Sequence, residues 1–211
     1  MFQLGQDANA NQRTTASQKT VTVLLCGVGG QGTILGADLL AHFAMAAGWQ
    51  VKLSEVHGMS QRGGAVTTVV RFGQAVASMV TDPGCADHII AFETTEALRN
   101  LSYLKAGGGL FVSNETIKPL SVLAGNSPMP TDAAKTLLTA GAHLIPAVRL
   151  AQEAGNAKCS NVVLLGVLAK ELGFTEALCE EQIALRLPSH LATVNIAAFR
   201  AGFSYEEKPS A

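Results

Sequence analysis

Charge is scarce in this sequence. Asp, Glu, Lys and Arg make up 15% of its 211 residues, against roughly 25% in an average soluble domain, so partners are expected to cover part of the surface. Aromatic residues are scarcer still, at 5%, and no segment offers a stacking platform. The formal net charge is −1 and no basic tract occurs, which removes the electrostatic footprint that nucleic-acid binding requires. Cys26, Cys85, Cys159 and Cys179 are scattered, with no CxxC spacing. Iron–sulfur clusters and structural zinc sites need closely spaced thiolates, so this chain is expected to hold neither. The four cysteines read as reduced structural thiols. No apolar run is long enough to span a membrane. Residues 1–19 are rich in Gln, Asn, Thr and Ala and have no apolar segment of the signal-peptide kind, so they read as a disordered leader and the chain as cytoplasmic.

Apolar residues, by contrast, make up 48% of the chain, and there are 21 glycines, a composition that suits helices packed closely on a sheet. One domain over residues 20–205, followed by a tail at 206–211, is the expected organisation. Val21–Cys26 is an unbroken apolar, β-branched run and predicts a buried strand. Leu35, Leu39, Phe43 and Ala46 recur at helical spacing over 33–47, and Gly48 is a natural C′ residue. Val51–Val56 predicts a second strand, and the three together a right-handed βαβ unit. Residues 65–72 and 75–80 read as a hairpin joined at Gly73-Gln74. A strand is expected at 88–92, a helix at 94–104 ended by Gly107–Gly109, and a strand at 110–113. Pro119, Pro128 and Pro130 mark a surface excursion. A helix over 131–140 with Thr131 as N-cap, a strand at 142–146, and closing helices at 161–172 and 193–202 complete the pattern. The fold class is α/β: a three-layer, Rossmann-like domain whose mostly parallel sheet carries an antiparallel hairpin.

Two segments carry the chemistry. Gly27-Val28-Gly29-Gly30-Gln31-Gly32 satisfies GxGxxG between a strand and a helix. Such glycines permit a tight turn and close backbone approach, and the helix N-terminus offers free N–H groups to an anion. Glu55, near the end of the second strand, stands where a dinucleotide-binding fold places its ribose carboxylate. By themselves these features admit a dinucleotide enzyme, or glycines that merely let helix and strand pack. After Glu55, however, comes no helix but a polar loop, Ser54-Glu55-Val56-His57-Gly58-Met59-Ser60-Gln61-Arg62-Gly63-Gly64. If both loops leave adjacent strand ends they share one crevice, in which Arg62 and the flexible glycines could clamp a carboxylate or phosphate. Glu55 could equally pair with Arg62.

Together the two motifs resemble the gamma domain of 2-oxoacid:ferredoxin oxidoreductases. With His-Gly-Met-Ser-Gln ahead of Arg-Gly-Gly, the second is most similar to the small subunit of the indolepyruvate branch. The similarity continues through Ala91-Phe92-Glu93, Glu96-Ala97-Leu98, Asn114, Glu153–Asn156, Asn161–Gly166 and Asn195–Phe199, and so covers roughly residues 20–203. It implies a subunit inactive alone, in an enzyme that decarboxylates a 2-oxo acid to an acyl-CoA and CO2 and passes the electrons to ferredoxin. Thiamine diphosphate, Mg2+ and 4Fe–4S clusters would belong to a larger partner subunit, with CoA as co-substrate and no cofactor held by this chain alone. The alternatives are a stand-alone NAD(P)- or FAD-binding oxidoreductase and a non-catalytic assembly subunit. Catalytic roles are expected of Arg62, as the anion-binding group, and of His57, as a polar contact. The cofactor- or substrate-facing set is Gly27, Gly29, Gly30, Gln31, Gly32, Glu55, Gly58, Gln61, Gly63 and Gly64, with no metal ligand. Glu93 and Asn161 could also line the crevice, although Asn161 reads better as a helix N-cap and Asn114 as a turn former.

Overall fold

A computed structural model describes residues 20–57, 64–79, 81–118, 122, 125–126, 129 and 131–207. Among these, six strands form one sheet: β1 (Val21–Val28), β2 (Gln50–His57), β3 (Ala65–Gly73), β4 (Ala86–Ala91), β5 (Leu104–Ser113) and β6 (His143–Ile145). Seven α-helices accompany them: α1 (Thr33–Ala46), α2 (Thr94–Asn100), α3 (Ala133–Thr139), α4 (Ala147–Glu153), α5 (Ser160–Glu171), α6 (Glu176–Arg186) and α7 (Ser189–Phe203). None of the described helices is long and apolar enough to cross a membrane.

The strand order is β2-β3-β1-β4-β5-β6. The pairings β1–β4, β4–β5 and β5–β6 are parallel, and both antiparallel pairings are made by β3. The continuous apolar run of β1 follows from covering both faces. Val23 and Leu25 enter one core with Phe43 of α1, Val162 and Leu165 of α5, and Phe199 of α7. Leu24 and Cys26 enter the other with Ala97 of α2 and Leu137 of α3. Side-chain alternation along one strand thus feeds two helical layers, and the three-layer expectation holds. Gly48 ends the α1 segment at φ +85°, with its N–H on Met45 O and that of Trp49 on Ala44 O, as its position predicts.

Several local expectations do not hold. Residues 75–79 form no strand, because β3 already has a partner on each edge, β1 on one and β2 on the other. The hairpin is instead β2–β3, and its connection contains the second motif. As a result β1 and β2 run parallel but are not neighbours. Gly107–Gly109 end no helix: α2 stops at Asn100 and the glycines lie inside β5. The pairing with β4 shifts register there. A Cβ on Gly108 would fall 2.7 Å from Asp87 O and one on Gly109 2.6 Å from the His88 ring, so close approach to β4 requires glycine. The helix near 131 begins at Ala133 with Asp132 in the left-handed region and no side-chain cap, so Thr131 does not cap it. Helices α4 and α6, short on obvious periodicity, were not expected from the sequence. The leader 1–19 and most of the excursion at 119–130 lie outside the described residues.

Candidate functional site at the glycine turn

The carboxyl ends of β1, β4 and β5 open on one edge of the sheet, and β2 ends and β3 begins on that same edge. There the chain leaves β1 through the glycine turn and enters α1. Gly30 and Gly32 adopt φ of +99° and +80°, which favours glycine strongly. Gln31 folds back over the turn: its Oε1 accepts the Val28 N–H at 2.8 Å and its Nε2 donates to Phe92 O, beyond the end of β4, at 3.1 Å. A Cβ on Gly27 would lie 2.7 Å from that Oε1 and 3.1 Å from the Phe92 ring. Gly27 is therefore needed for room rather than for its dihedrals. The first N–H satisfied within α1 is that of Gly36, on Gly32 O at 2.9 Å. The N–H groups of Thr33, Ile34 and Leu35 ahead of it point toward the turn, as at any helix start. The hydroxyl of buried Thr33 has no hydrogen-bond partner among the described residues, and Ile34 beside it is 53% exposed.

The second motif reaches this turn, but by a different route from the one expected. Gly64 carries its carbonyl to the Gly29 N–H at 2.9 Å, because Val28 pairs with Ala65 across the β1–β3 ladder. Gly64 and the turn are thus brought together directly. Glu55 is not: it is exposed on β2, opposite Thr68 of β3. With β3 interposed it stands two strand spacings from β1, about 10 Å. A ribose-binding carboxylate belongs on the strand next to the glycine turn, so the dinucleotide reading loses its second anchor. His57 closes β2 against Val66 in the backbone ladder. Gly58, Gln61, Arg62 and Gly63, and the side chain of His57, lie outside the described residues.

Two further residues change their meaning. Asn161 does not cap α5; that position belongs to Cys159. Asn161 is 4% exposed, and its Nδ2 donates to Gly32 O at 3.2 Å. Glu93 is fully buried and does not face an open crevice. Its carboxylate caps α2, accepting from Thr95 N at 2.9 Å and from Glu96 N, and Ile117 N lies 3.4 Å away. Behind it Glu96 is also buried, 3.3 Å from Arg99, and burial raises its carboxyl above the ordinary range. Cys26 donates its thiol to Glu96 O at 3.6 Å. Burial, then the charges of Glu96 and Glu93, push that thiol well up, so it is no nucleophile. Asn114 uses its N–H on Ile145 O at 3.0 Å and is exposed. Thr33 and the contact of Asn161 with Gly32 are absent from the sequence-based site. The first could have been read from its place directly after GxGxxG; the second spans 129 residues and leaves no local signal.

All four cysteines are free, and no three His, Cys, Asp or Glu side chains among the described residues converge as metal ligands. The arrangement consists of a braced turn, a helix start and an apolar side chain at the surface, and its helix start is suited to holding an anionic group.

Comparison with known proteins agrees with this architecture. The chain is 41% identical over 191 residues to indolepyruvate oxidoreductase subunit IorB of Thermococcus kodakarensis, covering 87% of this chain and 95% of that protein. The subunit of the same name from Methanothermobacter thermautotrophicus is 36% identical, with 86% and 95% covered. Among solved structures, the gamma subunit of a keto/oxoacid ferredoxin oxidoreductase from Geobacter sulfurreducens superposes with a TM-score of 0.64 at 24% identity, covering 87% of this chain and 96% of that one. The 2-oxoglutarate:ferredoxin oxidoreductase of Magnetococcus marinus, solved with 2-oxoglutarate, coenzyme A and succinyl-CoA bound, gives 0.69 at 21% identity; the match covers 89% of this chain and 31% of that one. The family model for pyruvate ferredoxin/flavodoxin oxidoreductase matches residues 22–205. The family match over residues 22–205, with 41% identity to a protein covered over 95% of its length, places the chain in the pyruvate ferredoxin/flavodoxin oxidoreductase family.

Proposed function

We propose that the chain is the small subunit of an indolepyruvate-type 2-oxoacid:ferredoxin oxidoreductase, and that it completes the active site of a larger partner subunit in the cytoplasm. In the overall reaction a 2-oxo acid and CoA give an acyl-CoA and CO2, and the two electrons released go to ferredoxin. Thiamine diphosphate with Mg2+ supplies the decarboxylation chemistry and 4Fe–4S clusters the electron path, both in the partner. This chain's part is to bind and orient. The observation that carries the reading is the Gly29–Gly64 hydrogen bond, since it holds the last residue of the second motif on the glycine turn within a family match spanning nearly the whole domain.

Two anionic substrates must be held, the 2-oxo acid carboxylate and the CoA phosphates. The start of α1 offers N–H groups and a positive dipole end to such a group, and Arg62 offers a fork of donors from the adjoining loop. His57 and Gln61 contribute polar contacts on the loop, and Gly58 and Gly63 let its backbone approach the ligand. Exposed Ile34, one residue into the helix, suits the rim of a subunit contact.

The test is to co-express the chain with its large partner and to follow viologen or ferredoxin reduction over a panel of aryl and alkyl 2-oxo acids, with and without CoA. CoA-dependent turnover of aryl pyruvates is expected from the complex and none from the chain alone. Arg62→Ala should raise the apparent KM for one anionic substrate about 10-fold or more, in line with the roughly 1.5–3 kcal/mol of a charged hydrogen bond. A clean complex that reduces no acceptor with any 2-oxo acid would sink the proposal.

A further inference from the structure

We infer that Asn161 is a positioning residue for the glycine turn: its side-chain amide holds the Gly32 carbonyl, and through it the first N–H groups of α1, in the orientation that receives the anionic substrate. This role holds only if the turn faces that substrate, as proposed above.

Two amide side chains brace the turn from opposite ends. Gln31 fixes its entry by bridging Val28 N and Phe92 O. Between the ends, Gly30 is exposed and a Cβ there would meet nothing within 4 Å, while the Gly29 N–H is held by Gly64 O at 2.9 Å and the Gln31 N–H by Val28 O at 3.2 Å. The exit falls to Asn161. Its Nδ2 lies 3.2 Å from Gly32 O, which also accepts the Gly36 N–H at 2.9 Å. One carbonyl thus receives both the first helical bond of α1 and a donor from α5.

The fit is steric as well as polar. A Cβ on Gly32 would run into the Asn161 amide nitrogen, so a glycine in the left-handed region and a buried amide form a matched pair. An amide that is 4% exposed would lose its donor's compensation if Gly32 turned away, which penalises other turn geometries. Thr33 follows immediately, its buried hydroxyl without a partner among the described residues, which sets one more polar group beside those that Asn161 helps to orient. Capping of α5 does not explain Asn161, because it stands inside the helix, beyond the N-cap at Cys159.

The experiment uses the assembled two-subunit enzyme with Asn161→Asp, which keeps the shape but replaces the donor by a carboxylate oxygen facing Gly32 O. Asn161→Ala, which removes the group, and the pair Gly30→Asp and Gly30→Asn, which share the strain of a side chain at φ +99° and differ by a negative charge on the turn's tip, complete the set. KM for CoA and for the 2-oxo acid, kcat, complex yield and Tm are measured for each. For both Asn161 variants we expect KM for one anionic substrate to rise about 10-fold, the order of one hydrogen bond's contribution, with kcat within about twofold and the complex intact. If Gly30→Asp raises that KM above the Gly30→Asn value and the Asn161 variants leave it unchanged, Asn161 is no positioning residue and the turn still faces substrate. If none of the four moves either KM, the ligand-facing role of the turn falls, and this inference with it. A fall in kcat or Tm at unchanged KM, or failure of both Asn161 variants to assemble, makes Asn161 a structural residue only and overturns the inference.

Discussion

Adding a single methyl group at Gly166 should unfold the domain at a markedly lower temperature. In an exposed helix, Gly→Ala is favourable by about 1 kcal/mol, because glycine has more backbone freedom to lose. Gly166 lies in the middle of α5, where that gain should be available. Its surroundings reverse the sign. A Cβ there would collide with Phe199 O, lie 2.7 Å from Phe203 N and 3.1 Å from Gly202 C. All three are backbone atoms of α7, which cannot rotate aside as a side chain could. The facing Gly202 is equally closed, with Val163 O and C of α5 where its Cβ would stand. The two helices therefore cross in backbone contact, and a methyl at either glycine must drive them apart.

Separation would loosen the core that the helices share, in which Phe199 packs edge-on against Phe43 with ring centroids 5.7 Å apart. Overpacking of this kind costs about 1–3 kcal/mol, and contact with rigid backbone belongs at the upper end. Set against the gain of about 1 kcal/mol in propensity, a net loss of about 2 kcal/mol is expected. For a domain of this size about 2–4 °C of Tm accompanies each kcal/mol, so Gly166→Ala should lower Tm by about 4–8 °C. Thermal unfolding followed by circular dichroism measures this directly. Gly166→Ala/Gly202→Ala should cost less than the sum of the single variants, because helices parted by the first methyl already admit the second. An unchanged or raised Tm for Gly166→Ala would refute the close crossing.

Glu96 should make stability depend on pH in an unusual direction. Burial raises its carboxyl, so the folded state holds the proton more tightly than the unfolded chain does. The stabilisation is complete below the unfolded value, about 4.3, and is lost as pH rises through the folded one. Glu96→Gln, which keeps the neutral shape, should flatten that decline in a series of Tm measurements from about pH 4 upward; a slope identical to the parent's would show that Glu96 stays charged. The thiols should separate in a native Ellman titration, with exposed Cys85 reacting first and buried Cys26, Cys159 and Cys179 lagging. Burial, with Glu180 adding to it, pushes Cys179 up to about 12. Two or more fast thiols would contradict the burial pattern.

The sequence was legible wherever one strand or helix carries its own signal. The apolar run at Val21–Cys26, the spacing from Leu35 to Phe43 and the stop at Gly48 are local patterns, and each became the element expected. Legibility failed where a partner strand decides. Residues 75–79 have the composition of a strand, but β3 has no free edge to offer them. Gly107–Gly109 look like a helix stop, yet they answer to the backbone of β4. The site divides along the same line. GxGxxG and the loop ending at Gly64 are contiguous motifs and could be found by reading along the chain. Strand order is not written locally: the insertion of β3 between β1 and β2 takes the Glu55 carboxylate away from the turn. Asn161 was undervalued for the converse reason, since its place near a helix start suggested a cap while its partner lies 129 residues earlier. What the fold adds to the motif is therefore the bracing. The glycines permit the turn, Gln31 secures its entry from within the motif, and Asn161 secures its exit from a helix that the motif does not contain. Substitutions at Gln31 and Asn161 should accordingly disturb the same turn from opposite ends.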